Sequence, residues 1–217
     1  MPLDPHADAV RALAAADPKL AALMARVGPC RLARRAAETP FETLLESIVH
    51  QQLTGKVAAT ILARVKSLFP RGVPTPARLA ALPDARLRGA GLSAGKTASL
   101  KDLAAHQLRG EIPDLATLER LDDEAIVERL TVVRGVGRWT VEMLLIFRLG
   151  RLDVLPATDY GVRKGFALTF RGGPSRRRAK EDPPLPSAAD LLAHGERWRP
   201  YRSIASWYLW RSAEQPA

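Results

Sequence analysis

The chain is poor in cysteine, in aromatic residues and in long apolar runs, and each shortage excludes something. Its 217 residues include one cysteine, Cys30. A single thiol excludes a disulfide framework, a Cys-rich zinc site and a four-cysteine iron–sulfur cluster. Cys30 therefore reads as a small packing residue. No apolar stretch approaches the ~18 residues that a membrane span needs. The opening "MPLDPHADAV" has acids and proline where a secretion signal would carry basic and then apolar residues, so the expected setting is the cytoplasm. Aromatics are 6% of the chain, while Ala and Leu dominate, a composition that leans to helix. Acidic residues are also short: 23 Asp and Glu stand against 33 Lys and Arg, a net charge of +10. That excess is spread along the chain, apart from the cluster Arg176, Arg177 and Arg178, and it points to a polyanionic partner, nucleic acid before an acidic membrane surface.

What is present is helical periodicity. "HADAVRALAAADPKLAALMARV" reads as one helix ending near Asp17 and another starting at Pro18. Over 41–69, Phe41, Leu44, Leu45, Ile48 and Val49, then Val57, Ile61, Leu62 and Val65, recur at helical spacing, interrupted by the polar "HQQLTG". This predicts helix, short loop, helix, with Thr54 as an N-cap. Prolines open two short helices in "PTPARLAAL" and "PDARLRGAG". "SAGKTASLKDLAAHQLRG" predicts a helix stopped by Gly110, and "DDEAIVERLTVV" one with acids in its first turn. "RWTVEMLLIFRLG" predicts a helix closed by Gly150, "ATDYGVRKGFALTF" one opened by Thr158 or Asp159, and "YRSIASWYLWRSA" the last. The segment 171–186, rich in Gly, Pro and charge, reads as an exposed loop. Its "RRRAK" is either a solvated linker or an extra phosphate-binding arm. The strongest strand candidate is the short "LDVLP". The expected class is all-α.

The segment "RGVGRWTVEM" carries a Gly-x-Gly that opens a helix. A dinucleotide fold would need a strand before it and a third glycine after it. Here the preceding segment is helical, and position 140 is threonine. A helix, hairpin, helix arrangement remains. Its outward N–H groups suit a DNA phosphate, or it is a plain helical corner with glycines for steric reasons.

With its context, "LTVVRGVGRWTVEMLLIFRLGRLDVLPATDYGVRKGF" resembles the helix-hairpin-helix DNA glycosylases, which carry a G-[IV]-G-x-W-T hairpin and, past a D-V-x-P turn, an aspartate heading the next helix. "ESIVHQQLTGKVAATI" (46–61), "GAGLSAGKTASLKDLA" (89–104) and "ERWRPYRSIASWYLWRS" (196–212) are similar to the alkylation-repair branch, the 3-methyladenine DNA glycosylase II type. The resemblance covers roughly 40–212. The residues before Thr39 are too few for the β-rich N-terminal domain of longer members, and the basic loop 171–186 is longer than usual. The resemblance implies one catalytic unit of two helical lobes, approximately 40–130 against 1–39 plus 131–217, with the hairpin at 131–139.

The chemistry that the resemblance implies is excision of an alkylated base from duplex DNA by a monomer that needs no cofactor. A ring-alkylated base such as 3-methyladenine or 7-methylguanine is cationic and leaves readily. The enzyme must flip it out of the stack, at a cost of roughly a few kcal/mol, and stabilise the sugar oxocarbenium ion with a fixed carboxylate. Asp159 is the expected catalytic residue. Its other reading is a simple N-cap, and the two roles are compatible. Trp139, Tyr160 and Trp210 match the pocket aromatics that would face an electron-poor base, although Trp210 reads equally well as core. Met143 stands where some members have an aromatic, and Gln51 would face the site. Gln52 or Leu53 would fill the gap left by the flipped nucleotide. Thr54, Lys56, Lys96, Gly135, Gly137, Arg138 and Thr140 are the expected DNA contacts. The carbonyls of Thr131, Val133 and Val136 would hold Na⁺ or K⁺ bridging to a phosphate. Strand-cutting members carry a lysine two residues after the second hairpin glycine. That position is Trp139 here, so no lyase activity is expected. His50, beside the loop, receives no catalytic role. The competing reading is a non-catalytic DNA-binding module built on the same hairpin.

Overall fold

The computed structural model describes residues 5–34, 39–53, 55–171 and 184–214. Among them all regular structure is helical, and no helix is long and apolar enough to cross a membrane. α1 (Ala7–Ala16) and α2 (Pro18–Val27) meet at Asp17, whose extended backbone breaks the run and whose carboxylate caps the N–H groups of Lys19 and Leu20. α3 (Pro40–His50) opens on a reciprocal capping box between Thr39 and Glu42. α4 (Gly55–Ser67), α5 (Pro76–Ala81) and α6 (Asp84–Gly89) follow. α7 (Ala94–Leu108) is capped by Ser93, and Gly110 (φ 73°) ends it in the left-handed region, as the sequence predicts. α8 (Leu115–Arg120) and α9 (Asp123–Leu130) start on Asp114 and Asp122. α10 (Arg138–Leu144) widens into a π turn over Leu145–Leu149, and Gly150 (φ 70°) closes it. α11 (Tyr160–Phe170) is capped by Asp159, α12 (Ala188–Gly195) by Ser187, and α13 (Arg202–Glu214) ends the described chain.

Two helices were not anticipated. α8 and α12 are only about two turns long, too short to establish a period. Their signals were the caps, Asp114 and the Ser187–Asp190 box. The strand candidate at 152–156 is irregular. The N–H groups of Val154 and Ser203 bond to Ser203 Oγ and the Leu152 carbonyl (both 2.9 Å), and the Arg202 guanidinium grips Asp153 through both carboxylate oxygens (2.7 and 3.0 Å). α13 thus takes the hydrogen bonds that a sheet would otherwise supply. Thr54 and the Arg176–Arg178 cluster lie outside the described residues.

The chain divides into two compact units, Arg35–Leu149 and Met1–Arg34 with Gly150–Ala217. The first unit centres on α7, whose Leu100, Leu103 and Ala104 are wholly buried and which packs on α3, α5 and α6. The hairpin and α10 belong to this unit, not with the later helices where the sequence reading grouped them, because α10 packs on α3 and α9. In the second unit α11 lies closely along α13, with α2 against both. Its core includes Leu20, Val162, Trp198, Tyr208 and Leu209, all fully buried. Asp17 is buried there as well. Its Oδ2 accepts from His194 Nε2 (2.9 Å) and Trp198 Nε1 (3.1 Å). Burial pushes the Asp17 carboxyl upward in pKa, but the bonds from His194, Trp198 and the Leu20 N–H prevail and hold it below the usual value.

Candidate functional site

Asp159 heads α11 because the turn before it is pinned: its own N–H bonds to the Pro156 carbonyl (2.9 Å). The side chain folds back as N-cap, and Oδ1 accepts from the Val162 N–H (2.8 Å). The same oxygen accepts from Trp210 Nε1 on α13 (2.8 Å). Two donors and a helix N-terminus orient this half-buried carboxylate. Trp210 is thus neither a bare pocket wall nor plain core but a donor that fixes the carboxylate. No local pattern reports a partnership between residues 51 positions apart.

Gly161 and Gly165 are close-packing positions beside the carboxylate's helix that the sequence reading missed. They lie four residues apart on the face of α11 that meets α13. A Cβ at Gly161 would come 2.8 Å from Trp210 Cδ1 and 3.2 Å from Asp159 Oδ1, and one at Gly165 would come 1.9 Å from the Leu209 carbonyl oxygen. Two small residues at i and i+4 were the available signal. Tyr160, the first residue of α11, is 60% exposed.

The other expected pocket residues lie in the unit Arg35–Leu149. Gln51, Gln52, Leu53, Trp139 and Met143 line one cavity of about 570 Å³, joined by His50, Glu46 and Phe147. Phe147 was not anticipated. The π turn places it on the cavity, and single-sequence periodicity does not report such a turn. Trp139 is 39% exposed, so part of its ring is open to a guest. Glu46 is paired with Lys66 (2.6 Å).

The loop at the cavity rim is a tight turn. Gln51 has φ −51° and ψ 135°, Gln52 has φ 56°, and the Leu53 N–H bonds to the His50 carbonyl (3.3 Å), a type II pattern. Glycine is the usual residue where Gln52 sits. A left-handed glutamine costs roughly 1–2 kcal/mol. The strain presents Gln52 and Leu53 outward, both exposed.

The hairpin follows its glycines. Gly135 (φ 78°) lies where a side chain would be strained and would strike Ser99 Oγ. Gly137 has an ordinary φ of −98° and nothing within 4 Å of a would-be Cβ, so no neighbour inside the protein demands a glycine there. The Val133 carbonyl of the expected cation set already accepts from the Val136 N–H (3.0 Å). This donor set fits a loosely held monovalent cation only in part.

Four expected DNA contacts take different positions. Lys56 is exposed in the first turn of α4. Thr140 is 2% exposed, so its side chain belongs to the core and not to a DNA surface. Lys96 does not project toward a phosphate. Its ammonium bonds to the carbonyls of Val49 (2.7 Å) and Gln51 (2.6 Å), and burial lowers its pKa. Arg138 is exposed but already bidentate with Glu124 (2.9 and 2.6 Å), which holds the Glu124 carboxyl below its usual pKa. The resemblance implied DNA contact for all four but did not foresee the partners that Lys96 and Arg138 take from other helices.

A helix-hairpin-helix carrying an aspartate at the head of a later helix is a base-excision architecture, and the chain belongs to the HhH-GPD superfamily of base excision DNA repair proteins, the match covering residues 45–181. It is 40% identical to DNA-3-methyladenine glycosylase 1 of Schizosaccharomyces pombe over 81% of this chain and 73% of that one. It is also 31% identical to the alkylbase DNA glycosidase-like protein mag2 of the same yeast, over 92% and 90% of the two chains. Among solved structures, the S. pombe 3-methyladenine DNA glycosylase in complex with abasic DNA superposes with a TM-score of 0.83 at 37% identity, covering 96% of this chain and 98% of that one.

Proposed function

We propose that the protein is a monofunctional DNA glycosylase that removes alkylated bases, among them 3-methyladenine and 7-methylguanine, from duplex DNA, acting as a monomer at the nucleoid. The observation that carries this reading is the aspartate at the head of α11, held by the N–H of Val162 and the indole of Trp210, in a chain similar to 3-methyladenine glycosylases.

The hairpin at Gly135–Gly137 meets the DNA backbone through main-chain N–H groups. Such contacts place the protein without reading sequence. The open space at Gly137 lets a phosphate approach the backbone closely. The basic excess adds non-specific affinity. Gln52, held left-handed at the loop tip, enters the stack in place of the extruded nucleotide, with Leu53 beside it. The cationic base is received by the aromatic face of Trp139 and by Phe147 and Met143. The glycosidic bond breaks with its electron pair going to the base, which becomes neutral. Asp159 stabilises the oxocarbenium ion left on the sugar and orients water, which adds to the anomeric carbon and loses a proton. Tyr160, exposed on the first turn of α11, would add to the wall that faces the base. The carbonyls of Thr131, Val133 and Val136 would hold a monovalent cation that screens the phosphate at the hairpin.

The test is release of free bases from methylated duplex DNA, resolved by chromatography. Release of 3-methyladenine and 7-methylguanine is expected, with intact abasic strands left behind. Tight DNA binding with no base released would instead favour a non-catalytic hairpin module.

A further inference from the structure

One face of α7 reaches both segments that the glycosylase reading brings to DNA. Lys96, Ser99 and Asp102 follow one another at three-residue intervals, so they line one side of the helix. Lys96 Nζ donates to the carbonyls of Val49 and Gln51. These belong to the group of acceptors that the end of α3 leaves unsatisfied. Ser99 supports the hairpin, since a Cβ on Gly135 would lie 2.6 Å from its hydroxyl oxygen. Asp102 Oδ2 accepts the N–H of Arg134, the residue that opens the hairpin turn (2.8 Å). Gln51 closes the frame, its Nε2 donating to the Gly135 carbonyl (2.7 Å). The adjoining positions Leu100, Leu103 and Ala104 are fully buried and anchor α7 in the core, and a close-packed core transmits displacement instead of absorbing it.

We infer that Lys96 and Asp102 are positioning residues that hold the hairpin and the Gln52 loop in one register, so that gripping the phosphate backbone drives the loop into the stack. The inference rests on the glycosylase reading. Extrusion costs roughly a few kcal/mol, and a wedge can exert that work only against a rigid base. A loop free to hinge away from the hairpin would let the same phosphate contacts form over a stacked duplex. Lys96 is half-buried, its ammonium is bonded to two main-chain carbonyls, and burial lowers its pKa, as fits an internal anchor. Lys101 supplies the internal control. It lies on the same helix and donates to the carbonyls of Ala80 and Leu82 at the end of α5, the same chemistry away from loop and hairpin.

The experiment uses a duplex with one 7-methylguanine and a neighbouring 2-aminopurine, whose fluorescence rises on unstacking. Lys96→Met, Lys96→Arg, Asp102→Ala, the double variant Lys96→Met/Asp102→Ala and Lys101→Met are compared with wild type. The readouts are melting temperature, affinity for undamaged duplex against salt, fluorescence amplitude and single-turnover base release. Lys96→Met should lower amplitude and rate together by about 10- to 100-fold, the range for a displaced reacting group. Its salt slope should stay unchanged, whereas a lost phosphate contact would reduce it by about 0.9. Lys96→Arg, which keeps donors for both carbonyls, should recover most of the rate. The double variant should lose no more than the worse single one, since both anchors serve one alignment. Lys101→Met should melt lower yet extrude and cleave normally. A reduced salt slope, additive losses in the double variant, or an equal rate loss in Lys101→Met would each overturn the inference. Should Lys96→Met fail to fold, Asp102→Ala, which frees the Arg134 N–H without touching the cavity lining, must give the same loss of amplitude. A wild type that raises fluorescence but releases no base would overturn the glycosylase reading and leave the alignment testable by fluorescence.

Discussion

Replacing Gly165 by alanine should be costly, although alanine is the better helix former. A Cβ at Gly165 would lie 1.9 Å from the Leu209 carbonyl oxygen, 2.6 Å from its carbon and 2.9 Å from its Cα. Ordinary contact begins at 3.4 Å, so α11 and α13 must part by about 1.5 Å, a backbone movement that no rotamer change can supply. Overpacking costs about 1–3 kcal/mol, and a backbone obstacle belongs at the top of that range. Helix propensity returns about 1 kcal/mol. The net loss is therefore about 2 kcal/mol, or a melting temperature lower by about 4–8 °C for a chain of this size. The same parting would stretch the Trp210–Asp159 bond, so base release should fall as well. Gly89→Ala, in α6 with nothing within 4 Å of the new methyl, is the matched control and should gain up to about 1 kcal/mol. Thermal unfolding by circular dichroism, with single-turnover release on the same samples, decides the matter. Gly165→Ala melting at or above wild type would show that the close approach of the two helices is not what requires glycine.

Asp159→Asn should lower base release by at least about 100-fold without weakening DNA binding, since a negative charge is removed; near-normal release would discard the catalytic assignment. Trp210→Phe keeps most of the ring but not its N–H, and should lower the rate about tenfold, corresponding to about 1.4 kcal/mol, with a smaller loss of stability; an unchanged rate would return Trp210 to plain packing. Borohydride treatment of reacting mixtures should trap no covalent protein–DNA adduct, because Trp139 occupies the position where strand-cutting relatives carry lysine; an adduct in good yield would contradict this. Asp17→Asn should cost about 1–3 kcal/mol at neutral pH, because its amide would turn a donor toward His194 and Trp198. The folded-state pKa of Asp17 is lowered, so the stability it supplies is present above its unfolded pKa of about 3.9 and is lost as pH falls through the lower folded value. The Asn variant should accordingly lose less stability than wild type over that acid range, and parallel melting curves would refute the linkage.

Much of the secondary structure was legible because its causes are local. The α3 apolar positions are all buried. Gly110 and Gly150 end their helices with positive φ, and Asp159 caps α11. α8 and α12 escaped because helices so short are defined by a cap and by neighbours more than by a period. The site was legible in its residue types but less so in their roles. Thr140 belongs to the core, Lys96 to the end of α3, and Arg138 to Glu124.

The sequence by itself determined the helical class, the basic character, the hairpin and the aspartate at a helix head. Each of these follows from composition, from a 3.6-residue period or from a cap within a few positions. Only the tertiary structure decided that Trp210, far along the chain, holds Asp159, that Gly165 lets α13 approach, and that α7 carries both the loop and the hairpin. Those facts depend on which helix faces meet. That choice is made by packing between distant segments, where a difference of an ångström settles whether a side chain is a ligand, a brace or core.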